Sequence, residues 1–63
     1  MSKSAQKHWS AVKSKFGMDA DTFVKVWDIY TDDNLTASMK RKKFSEMGFA
    51  GPSLYNALGK GMD

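Results

Sequence analysis

The side chains able to do chemistry fall into three groups. His8 is the one imidazole, it stands beside Trp9, and the sequence has no cysteine. A thiolate metal site and a Cys/His nucleophile pair are therefore excluded. His8 reads as a solvated helix residue with no catalytic or metal role. The carboxylate pairs Asp19/Asp21 and Asp32/Asp33 sit at expected helix ends. Capping of orphan N–H groups accounts for them without acid–base work. Asp32-Asp33-Asn34 offers too few alternating oxygens for a calcium loop. No Ser/His/Asp set and no glycine-rich phosphate loop occurs, so the expectation is a non-enzyme without a cofactor. The third group is basic: the run Lys40-Arg41-Lys42-Lys43, with Lys60 further on. Such cations contact phosphates, where counterion release makes binding salt-dependent. A merely solvated helix face is the competing reading of the same run.

Positioning these groups requires helices. Ala5, Trp9, Val12 and Phe16 recur on one helical face. That spacing predicts a helix from about Ser4 to Phe16, stopped at Gly17. Asp19 or Asp21 caps a second helix, Thr22 to about Thr31. Its Phe23, Val24, Val26, Trp27, Ile29 and Tyr30 are apolar on most sides, which predicts burial between other helices. A third helix runs from Leu35 or Thr36 to Met47, with Leu35, Met39, Phe44 and Met47 inward, and stops at Gly48. At 100° per residue the four cations wrap around this helix. Arg41 and Lys42 are expected clear of the apolar arc; Lys40 and Lys43 lie within or beside it and must extend along their stems to solvent. Pro52 starts a fourth helix with a Leu54, Ala57 and Leu58 stripe, ended by Gly59 and Gly61. Tyr55, Asn56 and Lys60 face elsewhere.

The fold class expected is all-α: a compact bundle of three to four short helices spanning residues 1–63 as one domain. With no disulfide available, aromatic packing must carry much of the stability. Two Trp, four Phe and two Tyr in 63 residues are enough for one core and argue against disorder. Helical spacing also makes Trp9, Phe23, Trp27 and Tyr30 a core cluster in preference to a base-stacking platform. Ten Lys/Arg against seven Asp/Glu give a net charge of +3, which permits anionic partners without requiring them. The apolar runs are too short for a membrane span and the first residues lack a signal-peptide core, so a cytoplasmic protein with no membrane partner is expected.

The segment KRKKFSEMGFAGPSLYNALG, residues 40–59, resembles the helix-turn-helix of small DNA-binding proteins. Met47, Gly48, Phe49 and Leu54 match the apolar–glycine–apolar turn and the apolar residue inside the second helix. Two positions depart. Phe44 replaces a small residue, often alanine, and Lys43 an apolar one, and both work against a tight helix crossing. The resemblance implies a recognition helix beginning at Pro52 or Ser53, with its first residues at base edges. Ser53, Tyr55 and Asn56 would contact bases, and Lys40, Arg41, Lys42, Lys43 and Lys60 phosphates. One short helix reads few base pairs, so a homodimer is expected.

The functional expectation is a small DNA-binding regulator or accessory of a kind suited to compact genomes such as those of phages. The alternative is a protein-interaction module that docks on a larger protein as inhibitor or adaptor. Met47-Gly48-Phe49 resembles the loop of ubiquitin-associated three-helix domains. An exposed apolar patch at Phe49, Leu54 and Tyr55 would favour this alternative, and a positive stripe there would favour DNA.

Overall fold

The computed structural model describes residues 2–60, apart from the side chain of Lys60. Four helices follow one another: α1 (Lys3–Phe16), α2 (Ala20–Tyr30), α3 (Ala37–Glu46) and α4 (Gly51–Lys60). No strand occurs among the described residues. α1 packs on α2, α2 on α3, α3 on α4 and α4 back on α1, which closes a ring around one core. No helix of the described residues is long and apolar enough to cross a membrane.

Each boundary has a local cause. Ser2 Oγ accepts from the Ala5 N–H at 3.1 Å, Asp19 Oδ1 from Thr22 at 2.8 Å, and Thr36 Oγ1 from Met39 at 3.2 Å. Each bond satisfies a donor that has no partner within its helix. Asp19, of the two candidates, is thus the cap of α2, and Asp21 lies in the first turn. Between α2 and α3, Asp32 Oδ1 accepts from Asn34 N–H at 2.9 Å and closes a turn. α3 stops two residues before Gly48, whose φ of 95° suits a residue without Cβ. There Gly48 N–H donates to the Ser45 carbonyl and Phe49 N–H to that of Phe44, the paired bonds of a glycine-terminated helix. Gly59 does not end α4, which continues to Lys60, and the expected stop at Gly61 lies outside the described residues.

The core contains Ala5, Val12, Met18, Phe23, Val26, Phe44, Leu54 and Leu58. Trp9, Phe16, Trp27 and Tyr30 pack against it half-buried. Three expectations need correction. α2 is not enclosed: Val24 is 47% exposed, because α1 and α3 cover only the side carrying Phe23, Val26, Trp27 and Tyr30. Met39, expected inward, is 46% exposed, because α3 turns Phe44 and Met47 inward and leaves Met39 on its outer side. His8 is not solvated but only 3% exposed, since α1 is flanked by both α2 and α4 and its covered sector spans Ala5, His8 and Val12.

α3 and α4 approach most closely at Gly51. A Cβ there would overlap the backbone carbonyl oxygen of Arg41 and crowd Ser45 Oγ. The tight crossing that Phe44 and Lys43 argued against is therefore present. The small residue that allows it stands on the second helix, while Phe44 itself fills the core.

Two outcomes follow. Gly→Ala within a helix ordinarily stabilises by up to about 1 kcal/mol. Gly51→Ala is expected to reverse that sign and cost about 1–3 kcal/mol through overpacking, read from urea unfolding. The Asp19 carboxylate is held below its ordinary 3.8, first by the Thr22 hydroxyl and then by the Thr22 N–H. A depressed folded value means a contribution present above 3.8 and lost as pH falls through the folded value. Asp19→Asn keeps an acceptor that does not titrate, so it should lose less stability than the parent between about pH 5 and pH 2.

Candidate nucleic-acid interface

α3 carries the basic run, and its inward stripe is Ala37, Lys40, Arg41, Phe44 and Met47, all half-buried or buried. Two cations thus occupy positions where an amphipathic helix normally has apolar residues. Their stems cover rings. The Lys40 ammonium lies 5.7 Å from the centroid of Tyr30, and the Arg41 guanidinium 5.4 Å from that of Tyr55. Cations at this range are attracted by the ring faces.

The four cations therefore separate. Arg41, expected clear of the apolar arc, is half-buried, because the close crossing at Gly51 brings α4 and Tyr55 to its side of α3. Lys43, expected within or beside that arc, is exposed and lines a groove between α2 and α3 together with Asp28, Asp32 and Glu46. Its neighbours there are carboxylates, which disfavour an approaching phosphate. Lys42 is exposed, about 160° around α3 from Phe44.

On α4, Ser53 and Asn56 are exposed and three residues apart, so they share the outer face. Tyr55 is half-buried on the flank, 5.5 Å from the ring of Tyr30 and beneath Arg41. Its ring is used in packing α2, α3 and α4 together. The side chain of Lys60 lies outside the described residues. Ala50 precedes α4 and accepts from Leu54 N–H through its carbonyl, but has no side-chain acceptor for the first turn.

Lys15 lies exposed in the last turn of α1. Phe16 meets Phe49 edge-on, with ring centroids 6.4 Å apart, and the Lys15 ammonium lies 5.8 Å from the Phe16 ring. This contact sets the end of α1 beside the α3–α4 turn and places one more exposed cation there. No spacing signal could reveal it, since the partners lie far apart in sequence.

The remaining aromatics form a packed chain: Trp9 on Phe23 at 5.3 Å, Phe23 on Trp27 at 6.0 Å, and Trp27 on Tyr30 at 5.8 Å. Phe23 is fully buried, as a core role requires. His8 joins this chain through Trp27 at 4.8 Å. Its Nδ1 lies within hydrogen-bond reach of the Ser4 carbonyl. A carbonyl only accepts, so Nδ1 donates to it, and Nε2 is buried without a hydrogen-bond partner among the described residues. No group of three or more His, Cys, Asp or Glu among the described residues could hold a metal ion.

The two classes of cation should respond differently to neutralisation. Arg41→Gln loses a ring contact and is expected to cost about 0.5–1 kcal/mol in urea unfolding. Lys42→Gln should stay within about 0.5 kcal/mol of the parent.

Comparison with protein-family models, with curated proteins and with solved structures returned no match to this chain.

Proposed function

We propose that this protein binds nucleic acid through the α3–α4 pair, with α4 presented to a duplex groove and the flanking cations on phosphates. The observation that carries the reading is the crossing at Gly51. It holds α4 close against α3 while leaving Ser53 and Asn56 on the free face, with Arg41 alongside. An exposed asparagine on such a helix can pair bidentately with adenine. The start of α4, without a side-chain cap, offers N–H groups and a positive dipole end to a phosphate. Arg41, Lys42 and Lys15 are the phosphate contacts in this arrangement. Lys43 contributes little because it faces Asp28, Asp32 and Glu46. Tyr55 acts by positioning Arg41.

The rival reading, docking on a larger protein through Phe49, Leu54 and Tyr55, asks for an exposed apolar patch at those residues. Leu54 is fully buried and both rings are half-buried, so that patch is missing.

The test is fluorescence anisotropy on a random-sequence duplex across a salt series. Affinity is expected to fall as salt rises, and Lys42→Gln should reduce the log–log slope by about 0.9 for its one lost phosphate contact. Lys43→Gln should leave the slope nearly unchanged. Asn56→Ala is expected to relax sequence preference, at about 1–3 kcal/mol for the base pair concerned. No binding at low salt, or equal slopes for the parent and the Lys42→Gln protein, would overturn the reading.

A further inference from the structure

α1 has an outer face on which Lys3, Lys7, Ser10 and Ser14 are all exposed. They recur at intervals of four, three and four residues, the spacing of the stripe Ala5, Trp9, Val12 and Phe16. The two sets lie on opposite sides of the helix. Lys13 and Lys15 flank the outer face, their ammoniums 5.7 Å from the Trp9 ring and 5.8 Å from the Phe16 ring. The helix contains no Asp or Glu, so its four lysines outweigh the net charge of +3 on the whole chain. Every acidic side chain among the described residues lies from Asp19 onward, on α2 and α3 or in the segments before and between them.

A row of ammoniums and hydroxyls without a carboxylate is complementary to a line of phosphates. Lysine meets a phosphate as a point charge, and serine donates its hydroxyl to a phosphate oxygen. The 14 residues of α1 span about 21 Å, enough to follow several phosphates of a strand. A lipid surface fits less well. A helix lying on a bilayer turns an apolar side to it, and the apolar side of α1 faces the core, with Ala5 and Val12 buried. The place of α1 in the ring matters too. α1 and α3 lie across the core from one another, with α2 and α4 between them. The outer face of α1 therefore looks away from Lys42, which stands on the outside of α3. In a molecule of 24 × 22 × 20 Å these two sets of cations do not meet one straight stretch of backbone.

We propose that the outer face of α1 binds the phosphate backbone of a second nucleic-acid segment, distinct from the one held by α4. Lys3 and Lys7 supply the charge, Lys13 adds to it from the edge, and Ser10 and Ser14 donate hydrogen bonds. The contact gives salt-sensitive affinity without sequence preference. One molecule then joins two segments. That joining rests on the α3–α4 reading; the phosphate contact on α1 does not.

A capture assay tests it: one random-sequence duplex is fixed to beads, a second carries a fluorophore, and the protein is added in a concentration series. The parent is expected to hold the labelled duplex on the beads, and to release it when excess protein covers each duplex separately. K3Q/K7Q changes two exposed positions to another good helix former, so circular dichroism should match the parent. It should lower capture about tenfold or more, yet bind a single duplex with the preference set by Asn56. In K42Q/N56A, the remaining affinity for a single duplex should fall with salt and be lost when K3Q/K7Q is added. Capture that survives K3Q/K7Q overturns the proposal. So does a parent that binds duplex but captures none, when K3Q/K7Q and Lys42→Gln both weaken that binding, since one bent duplex then covers both faces. Duplex binding indifferent to K3Q/K7Q, with retention on anionic phospholipid vesicles that depends on Lys3 and Lys7, overturns it by giving the face to a lipid surface. Single-duplex binding lost in K3Q/K7Q and unchanged in K42Q/N56A upholds the contact on α1 and refutes the α3–α4 reading instead.

Discussion

At Gly51 the backbone of α4 rests against the carbonyl of Arg41 with no side chain between them. The arrangement of the α3–α4 surface depends on that contact. Because the helices touch backbone to backbone, Leu54 and Leu58 reach the core beside Phe44, and Tyr55 is carried to the flank of α3. Phe44, fully buried beneath the crossing, fills the volume that two closely set short helices would otherwise leave open. The glycine turn before α4, with its two bonds back to Ser45 and Phe44, ends α3 in time for the chain to reverse.

The same contact divides the basic run. A run of four cations cannot share one face of a helix. Here packing assigns them different surroundings: Lys40 and Arg41 lie along Tyr30 and Tyr55, Lys43 faces the acidic groove, and Lys42 stands in solvent. The stems of Lys40 and Arg41 do the work of apolar residues on the inward stripe. This keeps charge close to the surface of a domain too small to set aside an entire helix face for it.

Two chemically distinct surfaces result on either flank of α3. On one, Arg41, Ser53 and Asn56 present donors and a cation. On the other, Asp28, Asp32 and Glu46 surround an apolar floor.

Much of the local structure was legible in the residues themselves. The cap at Asp19, the start of α3 close to Thr36, the stop at Gly48, the stripes of α1 and α4 and the all-α class follow from interactions within a few positions along the chain, which spacing records directly. The outer position of Ser53 and Asn56 was legible for the same reason. What depended on neighbours was not. His8 is buried because α1 has helices on two sides, while Val24 and Met39 are exposed because α2 and α3 are covered on one side only. Arg41 and Lys43 exchanged their expected surroundings once α4 took its place, and Lys15 joined the α3–α4 turn through Phe16 and Phe49. Periodicity tells which residues share a face of one helix. How wide the covered sector is, and which neighbour covers it, is decided only when the helices close their ring.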